Sequence, residues 1–343
     1  MSRRRFFFGL SLCILAAVRC YSVAIKHFRL DDIVNNSDLI AIVEVIDVSA
    51  IGAAPAIPFR GQLLDAQAFA SSLRLRRIIK GTAPDSLTVE YALPTSFVGY
   101  RGLQRGTRMV FLRLELGQYV FVDPYHPDLP ALVPRSAEQR LQPARGDYAT
   151  IVLREILAVI ASAAASPNEK SQVLQIDYAL PTSEEVVAAF RDGVAVAQEP
   201  DLRQRLQGEL LRFGDVTELP QVANLLLTNT ATTGQRAWLL YVIGYCVSDR
   251  RAIPALEPLL HSGDNSIREA AVEALWHIAD PSAVPQLAKN LRDPDEQVRF
   301  YAVRAFADIA NEAGWGGPGE AEFRQHQEKY LTHWQDWAKN RAQ

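Results

Sequence analysis

The chain has 343 residues, 48% hydrophobic and 22% charged, with a formal net charge of -3. This is ordinary globular composition with length for two domains, and it excludes a fibrous or disordered protein. The acidic balance also counts against a nucleic-acid partner, which a basic surface would attract.

Arg3, Arg4 and Arg5 precede an uncharged apolar run from Phe6 to Val18, the layout of an export signal. The run is shorter than the roughly 20 residues of a spanning helix. A cleaved signal over residues 1–22 is therefore expected, giving a periplasmic or secreted protein; the alternative is an uncleaved N-terminal anchor. Cleavage near Cys20 fits the local pattern, although Arg19 spoils a lipidation motif there. Only Cys246 then remains well inside the mature chain, so no intramolecular disulfide is expected.

Residues 23–134 read as a small β domain. "DLIAIVEVIDV", "SLRLRRIIKG", "SLTVEYAL" and "TRMVFLRLELGQYVFVDP" are separated by stretches rich in Gly, Pro, Ser and Asp, which are strand signals. Leu73 and Leu75 alternate with Arg74 and Arg76, and Leu87, Val89 and Tyr91 with Thr88 and Glu90, the period of a half-buried sheet. "DDIVNNS" reads as a short helix before the first strand, and Gly117-Gln118 as a type II′ hairpin turn. About five strands in this length favour a closed or partly open antiparallel barrel, because closure hides sheet edges. The strand order and "IIKG" resemble the OB-like barrels of exported bacterial proteins. Oligonucleotide binding, one use such a resemblance implies, is disfavoured by 11 basic and 11 acidic residues across 23–134.

Residues 135–343 change period, with apolar residues three and four apart. "SEEVVAAFRDGVAVA" and "DLRQRLQGELLRFGD" form one expected helix pair, and "LPQVANLLL" with "AWLLYVIGYCV" another. When Asp249 is aligned onto Asp280, 12 of 31 positions are identical, among them Pro254 with Pro285, Asp264 with Asp295 and Arg268 with Arg299. Each copy reads as a short helix, a break and a longer helix whose apolar stripe needs a neighbour to cover it. Pro220 and Arg236 occupy the places of Pro254 and Arg268 in the earlier copy. Asp264 and Asp295 fall at N-cap positions, with the arginines one turn later as a structural ladder. "AIPALEPLL" with "SIREAAVEALWHIAD", and "AVPQLAKNL" with "QVRFYAVRAFADIA", resemble short HEAT repeats of the type in phycobilisome lyase-related proteins. That resemblance implies an α-helical solenoid. Phe323, Tyr330, Leu331, Trp334 and Trp337 share one side of a tail helix expected to cap its open end, with a ligand site as the alternative.

Candidate chemistry is sparse. "DPYHPD" offers Asp123, His126 and Asp128, one imidazole and two carboxylates, but reads first as a turn. His326 and His333 are expected on a solvated face, and Cys246 in a buried apolar role. The chain holds no nucleophile elbow, phosphate loop, HExxH or dinucleotide fingerprint, so no catalytic residue, metal or cofactor is assigned. The second helices of the repeats instead place one column of Tyr241, Glu273 and Arg304 beside another of Tyr245, His277 and Asp308, flanked by Trp238 and Tyr301. Aromatic and charged side chains in that mix suit a protein or peptide partner in the cell envelope. The expectation is a non-catalytic interaction scaffold. The alternative is an envelope enzyme or enzyme inhibitor with its site on the barrel.

Overall fold

Strands come first and helices follow. The computed structural model describes residues 30–59, 62–96, 102–123, 126–133, 145–175 and 180–341; the segment read as an export signal lies outside the described residues. Two compact units divide the chain, one of Met1–Ile160 with Ala164–Pro181 and the other of Ala161–Ala163 with Thr182–Gln343.

The first unit begins with a short helix, α1 (Leu30–Asn35), followed by β1 (Leu39–Phe59), β2 (Gln62–Lys80), β3 (Ser86–Pro94), β4 (Gly106–Glu115), β5 (Gln118–Phe121) and β6 (Asp128–Pro130). The antiparallel order is β3-β2-β1-β4-β5, with β6 also paired to β4. Leu39, Ala41, Val43 and Val45 on β1 pack with Leu73, Val89, Tyr91, Val110 and Leu112 on one face. Ile40 and Ile42, on the opposite face, are buried as well. Arg77 pairs in register with Ile42, and its guanidinium meets Glu155 of α2 (Tyr148–Ala161). Since cross-strand partners share a face, α2 covers the Ile42 side. The sheet's unit thus extends past residue 134, taking in α2 and α3 (Pro167–Val173).

Three strand-level expectations are corrected. No ladder joins β3 to β5, so the sheet is not closed into a barrel. β5 has only four residues and spends them on β4, while the edges meet through side chains, Tyr91 against Phe121 at 5.3 Å. The stretch rich in Gly, Ala and Pro after the first predicted strand is not a connection. It continues both strands as a long hairpin, with register shifts between Ala50 and Gly52 and between Ala54 and Ile57 that accommodate the irregular pairing. The β4–β5 turn lies one residue earlier than predicted. Its central residues are Leu116 (φ 50°) and Gly117 (φ 82°), and positive φ at both is the type I′ signature rather than type II′.

The second unit contains α4 (Glu184–Val196), α5 (Pro200–Arg212), α6 (Leu219–Leu227), α7 (Thr233–Cys246), α8 (Ile253–Leu256), α9 (Asn265–Ile278), α10 (Val284–Asn290), α11 (Glu296–Ala310), α12 (Glu320–Gln325) and α13 (Gln327–Arg341). Three pairs, α6/α7, α8/α9 and α10/α11, share one entry device. Asp215, Asp249 and Asp280 each cap a single 3-10 turn, and a proline five residues on, Pro220, Pro254 or Pro285, starts the short helix. Proline suits a first turn because its missing N–H has no partner there anyway. Ala271, Ala274, Ala302 and Ala305 are fully buried, letting α9 and α11 approach closely within one continuous core.

Asp264 caps α9 through the Ser266 N–H, and Asp295 caps α11 through the Gln297 and Val298 N–H groups, as their positions predicted. The ladder is sheared relative to expectation. Arg236 meets Asp264 of the next repeat at 2.7 Å, whereas Arg268 grips Asp293 with two bonds of 2.8 and 2.9 Å. The exposures of the two pairs differ, 26% and 43% for Arg236–Asp264 against 11% and 6% for Arg268–Asp293. Arg268→Ala, which strands a buried carboxylate, is therefore expected to cost about 3–5 kcal/mol, and Arg236→Ala under about 1 kcal/mol. Urea unfolding of the two variants measures the difference; equal midpoints would refute this ranking.

Candidate functional site

The second helices α5, α7, α9 and α11 are neighbours in that order, and an aromatic row crosses them. On α7, Trp238, Tyr241 and Tyr245 are three and four residues apart and so share a face. Their rings stack in turn, Trp238 on Tyr241 at 5.8 Å and Tyr241 on Tyr245 at 5.0 Å. Tyr245 lies 6.3 Å from His277 of α9, His277 stacks on Trp276 at 4.7 Å, and Trp276 stacks on Tyr301 of α11 at 5.8 Å. The guanidinium of Arg205, from α5, lies 4.8 Å over Trp238, and that of Arg304, from α11, lies 4.2 Å over Trp276. Tyr241 and Tyr245 are 51% and 57% exposed.

Glu273 forms the floor beneath this row. Only 6% of it is exposed, and its carboxyl rests against α7 at Gly244, where an added methyl would stand 2.5 Å from Oε2. Tyr245 of α7 and Tyr301 of α11 face it with their hydroxyls. Gly208 on α5 makes a similar notch, against which the Trp238 indole lies. Mid-helix glycine costs roughly 0.5–1 kcal/mol relative to alanine, so both notches have a packing reason.

Burial pushes the Glu273 carboxyl up to about 7, with nearby Glu269 adding to the rise and the two tyrosine hydroxyls opposing it. Burial likewise raises Glu269, helped by Asp295. Tyr245 and Tyr301 are raised first by burial and then by Glu273. Burial lowers His277, with Arg304 adding to the effect and Asp308 opposing it.

The residues expected as two straight columns are thus brought together in a different order. Tyr245 faces Glu273 and His277, and Glu273 faces Tyr301, so the spacings are 28, 32 and 28 residues where the repeat is 31 long. Each ring therefore meets residues on both sides of its equivalent position in the next repeat, which a straight column does not describe. Tyr241 stacks on Trp238 and Tyr245 within its own helix, Arg304 covers Trp276, and Asp308 accepts the Trp276 indole N–H at 2.6 Å. Trp276, Glu269 and Arg205 were missed by the column reading. Gly208 and Gly244, each in the middle of a helical pattern, were the available signal.

The remaining candidates lie away from this row. His126 Nδ1 lies 2.9 Å from Asp123, whereas Asp128 faces Arg108 at 3.4 Å in a buried pair. Among the described residues no group of three or more His, Cys, Asp and Glu side chains could hold a metal ion. His333, expected in solvent, stacks on Trp315 at 3.5 Å and meets Glu312; His326 is exposed. Cys246 is half-buried, and burial raises its thiol. Phe323, Tyr330 and Trp334 are buried, and Trp337 meets Phe306 at 5.8 Å, so the tail aromatics cover the last repeat.

Residues 219–307 match the family model of HEAT repeats. The HEAT-repeat match runs from α6 into α11 and contains the aromatic row from Trp238 to Tyr301, together with Glu273 and Arg304. No curated protein matches the chain significantly. Among the described residues no helix is long and apolar enough to cross a membrane.

A folded chain that holds the Glu273 proton to about 7, against an ordinary 4.5 when unfolded, binds more protons than the unfolded chain between those values. Glu273 should therefore contribute stability below about 4.5 that is lost as pH rises through about 7, on the order of 3 kcal/mol in all. In denaturant titrations at several pH values, Glu273→Gln should flatten that decline; profiles that stay parallel would rule out the assignment.

Proposed function

We propose that this protein is a non-catalytic interaction scaffold whose HEAT-like solenoid binds a protein or peptide partner along the face of its second helices. Stacked repeats curve, and the inner face of such a stack offers an extended binding surface. One observation carries the reading: Tyr241 and Tyr245, two stacked rings more than half exposed, sit at the centre of a row with exposed His277 beside them and half-buried Trp238, Trp276 and Tyr301 around them. Large apolar rings left to water over a rigid helical base are the anchors from which protein interfaces draw most of their energy. The proposal also places the protein outside the cytoplasm, on the strength of Arg3–Arg5 and the apolar run that follows. The net charge of -3 supports a protein partner over nucleic acid.

Photo-crosslinking in the producing cells tests the face. With a photoreactive phenylalanine in place of Tyr241, Tyr245 or His277, the full chain should crosslink one and the same protein. The same probe at Gln286, on the short helix α10, should not. Crosslinks of equal strength at all four positions, or at Gln286 alone, would displace the site.

A further inference from the structure

Strand β1 outruns the strand beside it. β4 accompanies it only from Leu39 to Val45, whereas β2 stays paired with it as far as Phe59. The chain leading into β4 turns under the sheet instead of following β1: Leu103 is buried, and its N–H donates to the Tyr91 hydroxyl of β3 at 3.1 Å. Among the described residues no strand pairs with the outer side of β1 beyond Val45. Ser49, Ala50, Ile51, Gly52 and Ala53 are exposed, Ile51 by 51%, and a methyl added at Gly52 would find nothing within 4 Å. The outer side of this run is therefore an open sheet edge, with a row of backbone N–H and C=O groups along it.

Sheet edges are commonly blunted by charged side chains or proline. The run Val48–Ala54 has neither. The nearest charge before it is Asp47, which Arg105 holds at 2.7 Å, and Pro55 falls with Ala56 in a register shift beyond its end. The shift at Ile51 bends the run by one residue without adding either guard. Edge strand β3 differs, because exposed Glu90 interrupts it and its Tyr91 approaches Phe121 of β5 at 5.3 Å. What covers the β1 edge must offer backbone groups in return. A lipid phase would leave the row unpaired, at a cost of several kcal/mol for each group, whereas an added strand satisfies it.

We infer that Val48–Ala54 of β1 pairs with the same run of a second copy, so that one sheet passes through a two-fold dimer. The run is complementary to itself. In antiparallel pairing about an axis at Ile51, Val48 meets Ala54, Ser49 meets Ala53, Ala50 meets Gly52 and Ile51 meets its twin. Like charges never oppose one another, and small residues flank the one large side chain, which passes from water to apolar contact. The inference concerns the strand unit and does not depend on the partner face of the helices.

Sedimentation velocity on the full chain should show monomer converting to dimer as concentration rises through the micromolar range. Ile51→Cys should form a disulfide-linked dimer on mild oxidation, since directly opposed residues of an antiparallel pair lie about 4.5–5.5 Å apart, within disulfide reach. It should do so well beyond the unsubstituted chain, whose own cysteines set the background, and beyond Thr88→Cys on β3. Ile51→Lys should weaken the dimer at least about tenfold by setting like charges opposite each other, with circular dichroism unchanged. An equimolar mixture of Ile51→Lys and Ile51→Glu should restore it, a rescue that misfolding would not give. A chain that stays monomeric up to about 0.1 mM, a dimer indifferent to either charge, or linkage through Thr88 instead would each overturn the inference. The photo-crosslinks at Tyr241 and Tyr245 should persist in Ile51→Lys, so that the strand edge and the helical face are tested separately.

Discussion

A helix with one apolar side must cover that side, and in the carboxyl-terminal half of this chain the cover is the next helix. Ala271 and Ala274 on α9, with Ala302 and Ala305 on α11, are fully buried because small side chains let the two helices come close while Leu275 and Phe306 fill the space around them. The rest of that unit follows from this requirement. A stack built by mutual coverage has one set of helices aligned side by side, and it leaves a last apolar face that α12 and α13 close with Phe323, Tyr330 and Trp334.

Close helix approach also determines what the face can display. Where α7 and α9 meet, Gly244 leaves a notch that admits the Glu273 carboxyl, and where α5 and α7 meet, Gly208 admits the Trp238 indole. A larger residue at either position would force these side chains outward. Held where they are, they form a floor and a wall that leave Tyr241 and Tyr245 no inward place to go, so the exposure of the two rings follows from the packing beneath them. The same burial raises Glu273. Packing and the exposed rings proposed as anchors therefore have one origin.

The sheet unit shows a different economy. β1 is central and is buried on both faces, with Ile40 and Ile42 on one and Ala41 and Val43 on the other, because a helix from beyond the strands lies across the second side. Its two edges approach through Tyr91 and Phe121 without a ladder. In its polar cluster Asp123 holds His126, and Asp128 faces Arg108.

Much of this was legible in the linear chain. The 31-residue self-similarity, the capping aspartates and the prolines that open each short helix are local devices, and local devices are written in adjacent residues. So is the short helix α1. What the sequence could not show is anything that depends on the offset between neighbouring elements. The column reading paired Tyr241 with Glu273, whereas the registry between α7 and α9 gives that contact to Tyr245 and leaves Trp276, which lies outside both columns, to bridge α9 to α11. The barrel reading expected about five of the six strands and could not foresee that a four-residue β5 would leave the sheet open, or that irregular pairing would carry the first hairpin through a stretch rich in glycine and proline. Periodicity settles which side of an element is apolar, since that is a property of one helix or strand; registry between elements is decided only when their surfaces interlock, and on this protein the candidate site exists only in that registry.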